Sequence, residues 1–206
     1  MFHKEILNEK QTELLPLISE FKREYYLVGG TAIALYLGHR RSIDFDLFKF
    51  APLNRKKNLE KVQSSGFSSI VTWNVADQMN LVVNEVKVTF FQYPFQIKAN
   101  NSFENIIRLP ELLDLGAMKA YALGRRSKWK DYVDLYFLLT EKFSYDEISQ
   151  RAIEIYGDLF SDKLFRSQLS YFEDIDYTEE VEYIISNPPT EDEIKQYLIE
   201  VSTAIV

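Results

Sequence analysis

The residues best suited to chemistry fall within nineteen positions: Val28-Gly29-Gly30-Thr31, then twelve residues, then Asp44-Phe45-Asp46. A strand feeding two glycines and a hydroxyl residue at a helix start presents a concave set of partnerless backbone N–H groups. With the electropositive helix N-terminus, that suits phosphate oxygens. Glycine there lets a ligand approach the backbone closely. Taken alone, Gly29-Gly30 reads equally well as a plain turn. Two aspartates two apart on a strand share one face, and like charges that close need a compensating cation or water-filled site. Two carboxylates with open water positions suit Mg²⁺, a hard ion that prefers oxygen. A solvated edge strand would give the same Asp-x-Asp pattern. What separates the readings is the company it keeps, because Arg40-Arg41-Ser42 stands between the glycines and the aspartates. Phosphate cradle, cations and metal carboxylates then adjoin.

Several elements must position these residues. Glu9 to Glu24 reads as a helix, with Leu14, Leu15, Ile18 and Phe21 at spacings of three and four. Tyr25 to Val28 is a short strand, Thr31 to Leu37 a buried helix ended by Gly38, and Ile43 to Phe48 a strand alternating with period two. A basic helix over 54–65 and three strands over 67–73, 79–84 and 86–93 follow, the last two joined by a hairpin at Asn84-Glu85. Beyond Pro110 helices are expected over 111–123, 131–140, 145–156 and 165–171. A last one starts at Thr190, with Glu193 at the capping-box spacing. The fold class is α+β: a small mixed sheet flanked by helices over 1–109, then a helical region over 110–206.

The composition narrows the function. The chain of 206 residues is 46% hydrophobic and rich in Phe and Tyr, enough for a packed core. It has no Cys, which excludes thiol catalysis and Cys-based zinc sites. His3 and His39 are its only histidines, which argues against His-centred triads. No apolar run has membrane-spanning length and the N-terminus has no signal-peptide pattern, so a cytoplasmic protein without a membrane partner is expected. Net charge is −7 but uneven: residues 1–130 carry 19 Lys and Arg against 13 Asp and Glu, residues 131–206 carry 5 against 18. The acidic part is expected to be a solvated helical surface. The basic runs Arg55-Lys56-Lys57 and Arg125 to Lys130, with Trp129 between cations, suit a nucleic-acid backbone and a stacked base, or ordinary solvated charge.

The stretch Gly29 to Phe48 resembles the nucleotidyltransferase toxins of the AbiEii/AbiGii type, in the DNA-polymerase-β-like nucleotidyltransferase superfamily. A second block, Met118-Lys119-Ala120-Tyr121-Ala122-Leu123-Gly124-Arg125-Arg126 and then Lys130-Asp131-Tyr132-Val133-Asp134, resembles that family's lysine-bearing helix and following Lys-Asp pair. Val88 to Phe95 is similar to its strand after the Asp-x-Asp, so the likeness spans about 25–140. The resemblance implies that Asp44 and Asp46 hold Mg²⁺ (or Mn²⁺) and that Gly29, Gly30 and Thr31 cradle an NTP's phosphates. It implies that Lys119 is the cation on the triphosphate and Asp131 a further catalytic carboxylate, with Arg40, Arg41, Ser42 and Arg126 as secondary nucleotide contacts. Lys119 and Arg126 share a helix face if the helix continues that far.

One departure stands out: where many polymerase-β-like enzymes add a third carboxylate, this chain reads Glu85-Val86-Lys87-Val88-Thr89-Phe90. A single Mg²⁺ is the expectation. The implied activity is transfer of NMP from an NTP to an acceptor hydroxyl, with pyrophosphate leaving. By family analogy the acceptor is a tRNA 3′ end and the chain a toxin with a cognate antitoxin. Transfer to a protein or small-molecule hydroxyl, and a nucleotide-binding module that has lost its chemistry, are the alternatives.

Overall fold

The computed structural model describes residues 2–123 and 125–204. Two compact units divide the chain, Met1–Glu111 and Leu112–Val206.

In the first unit, helix α1 (Glu9–Ser19) starts at a capping box in which Asn8 and Gln11 exchange side-chain-to-backbone bonds. It stops five residues short of the expected end. The chain tightens at Glu20 into i→i+3 bonds, which lets the Phe21 and Tyr25 rings meet Phe90 with centroids 4.8 and 5.3 Å away. Strand β1 (Tyr26–Val28) runs into α2 (Gly29–Leu37), which ends at Gly38 in the left-handed conformation, as expected. Next come β2 (Phe45–Lys49), the basic helix α3 (Arg55–Ser64), and strands β3 (Ser69–Asn74), β4 (Gln78–Val83) and β5 (Val86–Gln92). Asn84 and Glu85 both have positive φ, the two-residue hairpin geometry expected there. A three-residue turn over 104–106, with Glu104 and Asn105 also at positive φ, joins β6 (Asn101–Phe103) to β7 (Ile107–Leu109). This hairpin was not expected, because strands of three residues carry too short an alternation to read.

Among the described residues the strands form one mixed sheet in the order β3-β4-β5-β2-β1-β7-β6. Its register gives it two unlike faces. Phe45, Leu47, Val88, Phe90, Met79, Leu81 and Val83 are all buried on one face, each worth about 1.5–3 kcal/mol of burial. The alternate positions face the other way: Asp46, Lys87 and Asn80 stay at least partly exposed, and Thr89 between them is buried.

The second unit is helical: α4 (Leu112–Leu123), α5 (Trp129–Glu141), α6 (Tyr145–Tyr156), α7 (Asp162–Leu169) and α8 (Glu191–Thr203). Capping boxes at Ser144/Glu147 and Thr190/Glu193 begin α6 and α8. The acidic part departs from expectation, because residues 174–190 contain no helix. Instead Asp176 bridges backbone to backbone with Ser127 and Trp129, and Glu179 pairs with Lys128 and Lys130. The cations of the second basic run are therefore answered by acids of the same unit. Trp129 is not a stacking platform: it is buried against Tyr132 and Tyr177, since the α5 start needs an apolar cover there. No helix among the described residues is long and apolar enough to cross a membrane.

Candidate active site

Local sequence explains the turn that opens α2. Gly29 has φ +71, which L side chains rarely adopt, and a Cβ there would collide with Asp46 Oδ2. At Gly30 a Cβ would lie 2.5 Å from Arg40 Nη2 and 3.1 Å from Ser42 Oγ. Both glycines are thus required by close approach, one to a carboxylate and one to a guanidinium. Strand pairing sets the first approach, because Val28, immediately before the turn, is the register partner of Asp46.

Around this turn the loop after α2 is held by buried polar groups. The Thr31 hydroxyl bonds to Ser42 Oγ at 2.9 Å and donates to the Asp44 carbonyl. Gln11, fully buried, donates to the Ser42 carbonyl at 2.8 Å. Arg40 is 1% exposed and donates through Nη1 to the Arg41 carbonyl at 2.8 Å. A guanidinium beside the first turn of α2 adds to the positive end of the helix dipole, and Val28 supplies no side-chain cap there. Gly29, Gly30, Thr31, Arg40, Ser42, Asp44 and Asp46 are therefore gathered as the sequence suggests. Arg41 donates through Nη1 to the Glu5 carbonyl at 3.2 Å.

Asp44 sits just before β2 and Asp46 within it. Lys87, which sequence reasoning did not single out, brings its Nζ to 3.9 Å from Asp44 Oδ2; the alternation of β5 was the available signal. Across the parallel β2–β5 pairing Asp46 faces Thr89, a hydroxyl and not a carboxylate. Glu85 is in the hairpin turn, 3.3 Å from Lys10. No group of three or more metal-ligating side chains occurs among the described residues. The donor set still fits Mg²⁺, which is commonly held by one or two carboxylates with substrate phosphates and water completing its shell.

The second unit builds a different cluster. Lys119 on α4 is 5% exposed, with its ammonium 2.5 Å from Asp131 Oδ1 and 2.9 Å from Asp134 Oδ2. Arg126 binds the same Asp131 through Nε at 2.8 Å and Nη2 at 3.1 Å. Helix α4 ends at Leu123, so Arg126 does not reach this cluster by sharing a helix face with Lys119. It is placed there from the loop before α5, and its side chain stays 51% exposed. Burial pushes the Asp131 carboxyl up, but Lys119 and Arg126 outweigh it and hold the group below its ordinary value. Asp134, one helical turn on, completes a balanced set of two cations and two anions.

No protein-family model matches the sequence. The chain is 28% identical to an uncharacterized protein of Aquifex aeolicus, over 93% of this chain and 98% of that one. Among solved structures it resembles MenT4, a nucleotidyltransferase toxin of Mycobacterium tuberculosis, with a TM-score of 0.60 at 16% identity, covering 95% of this chain and 82% of the other. JHP933 from Helicobacter pylori gives a TM-score of 0.53 at 18% identity, covering 95% and 90%. The mixed sheet with its flanking helices, followed by the helical region, is the fold this chain shares with the nucleotidyltransferase toxin MenT4.

Proposed function

We propose that the protein is a Mg²⁺-dependent nucleotidyltransferase that moves NMP from an NTP to an acceptor hydroxyl. The observation that carries the reading is the packing of Gly29 against Asp46: a phosphate-accepting helix start and a carboxylate meet with no room for a side chain between them. The backbone N–H groups at Gly29 to Thr31 and the Arg40 guanidinium receive the phosphate oxygens, and the buried Thr31–Ser42–Asp44 bonds keep that loop rigid. Asp44 and Asp46 would hold the metal, which when bound supplies charge neutralisation at the phosphates. Lys119 and Asp131, to which the family resemblance gives the roles of cation on the triphosphate and carboxylate near the acceptor, lie with Arg126 in the ion cluster of the second unit, and this reading gives them no step. Rate enhancement in this reading comes from positioning and fixed charge, with no covalent intermediate. The likeness to MenT4, a nucleotidyltransferase toxin, supports a toxin role; a tRNA 3′ end as acceptor, a cognate antitoxin as partner and a cytoplasmic location are what the family resemblance of the sequence implies.

The test is transfer from each α-labelled NTP, with Mg²⁺, to total RNA and to a protein extract, with Asp46→Ala alongside. Label in a tRNA-sized band that Asp46→Ala lacks is the expected result. Label in protein keeps the chemistry and moves the acceptor. No label on any acceptor overturns the reading.

A further inference from the structure

The sheet face that carries Asp46 extends well past the carboxylates. Register partners run in a row from Asp46 on β2 to Thr89 on β5, Asn80 on β4 and Trp73 on β3. The adjacent row on the same face runs Lys87, Val82, Ile70, with the Lys87 ammonium reaching back to Asp44. Strands lie about 4.8 Å apart, so the Trp73 indole stands roughly 14 Å from Asp46.

This end of the face is unlike an ordinary sheet edge. Trp73 is 54% exposed and Ile70 69% exposed, on an edge strand with no charge, Pro or Gly from Ser69 to Asn74. Edge strands are usually blunted by such residues. A bulge between Val71 and Trp73 twists the strand just where the indole projects. Between Trp73 and Asp46 the track holds an amide, a hydroxyl, a valine and a lysine, and no carboxylate. The Asn80 amide is fixed by Gln78, whose Nε2 donates to its Oδ1 at 3.0 Å.

We propose that this face binds the acceptor as a single-stranded nucleic acid, with one base stacked on the Trp73 indole, its backbone passing Lys87 and its terminal hydroxyl at the Asp44–Asp46 end. An exposed flat indole stacks any base, a lysine answers a phosphate, and a track without carboxylates does not repel the backbone. Continuity with the carboxylates favours this occupant over a second copy of β3, which would use the edge but have no need of the row leading to Asp46. The inference rests on the nucleotidyltransferase reading and adds to it a positioning residue that acts on the acceptor, not on the NTP.

The experiment uses the full chain with an oligoribonucleotide and an oligodeoxyribonucleotide, each bearing a free 3′ hydroxyl. Trp73 and the buried Trp129 are the chain's two tryptophans, so quenching of fluorescence reports Trp73, and Trp73→Phe removes that signal. Read for all three proteins by anisotropy of the 5′-labelled oligonucleotides, Trp73→Ala is expected to weaken binding about tenfold, and Trp73→Phe to restore most of it. Thermal stabilisation by NTP with Mg²⁺ should be the same in all three proteins. The two oligonucleotides show whether the 2′ hydroxyl matters. No quenching, or equal binding by Trp73→Ala, overturns the inference while intact NTP stabilisation leaves the nucleotidyltransferase reading standing. Loss of NTP stabilisation in the wild type as well would remove both. Dimers in sedimentation that Trp73→Ala dissolves would assign the edge to a second copy and overturn the proposal.

Discussion

The two units answer the same electrostatic problem in opposite ways. In the first, Asp44 and Asp46 are kept partly exposed beside a positive helix start and a buried guanidinium, with the half-exposed Lys87 ammonium 3.9 Å from Asp44. In the second, Lys119, Asp131 and Asp134 are buried and mutually neutralised at distances of 2.5 and 2.9 Å. The half-exposed arrangement leaves its charge within reach of a ligand. The closed one spends it internally, because desolvated charges persist only when paired. A given substitution should therefore act on activity in one unit and on stability in the other.

The largest expected effect is Asp46→Asn. Transfer should fall by on the order of 10³-fold or more, the scale of losing several kcal/mol of charge stabilisation. The melting temperature should hold or rise, which calorimetry checks; a large drop would mean that the open site is structural after all. Lys119→Met comes next and should act mainly on the fold, taking the ammonium from two buried carboxylates and leaving Asp131 to Arg126, at a cost of about 3–5 kcal/mol. Urea unfolding should show this, and an unchanged midpoint would break the contrast.

Gly29→Ala combines a positive φ with a clash on Asp46, and should cost about 1–3 kcal/mol together with most of the transfer activity. Acid sharpens the comparison. Asp131 titrates below its ordinary 3.8, so its stabilisation is complete above that value and drains away as pH falls through the lowered pKa. The stability gap between wild type and Asp131→Asn should therefore be full at neutral pH and shrink on acidification below about pH 4. The smallest effect is Thr190→Ala at the α8 capping box, about 1 kcal/mol with transfer unchanged.

How much of this could be read beforehand follows physical range. The caps at Ser144 and Thr190 obey rules spanning four residues, and so does the Asn84-Glu85 turn. Only the second of these caps was singled out from sequence, yet both rest on the same spacing. The Gly-Gly-Thr and Asp-x-Asp pairing was legible for the same reason: residue type and backbone conformation suffice to suggest it. The β6–β7 hairpin was missed because its strands are too short to show a period. Trp129 was misjudged because a tryptophan among cations looks solvated until the distant segment around Asp176 folds over it.

The sequence by itself therefore determined the element types, their order, the turn that opens α2 and the residues able to carry charge. Only the tertiary structure decided which charges are buried together and which stay near the surface. It set Asp46 opposite Thr89, placed Trp73 in line with the carboxylates, and closed Lys119 between Asp131 and Asp134. Those outcomes depend on strand register and helix packing between residues far apart in the chain, where no local periodicity carries the information.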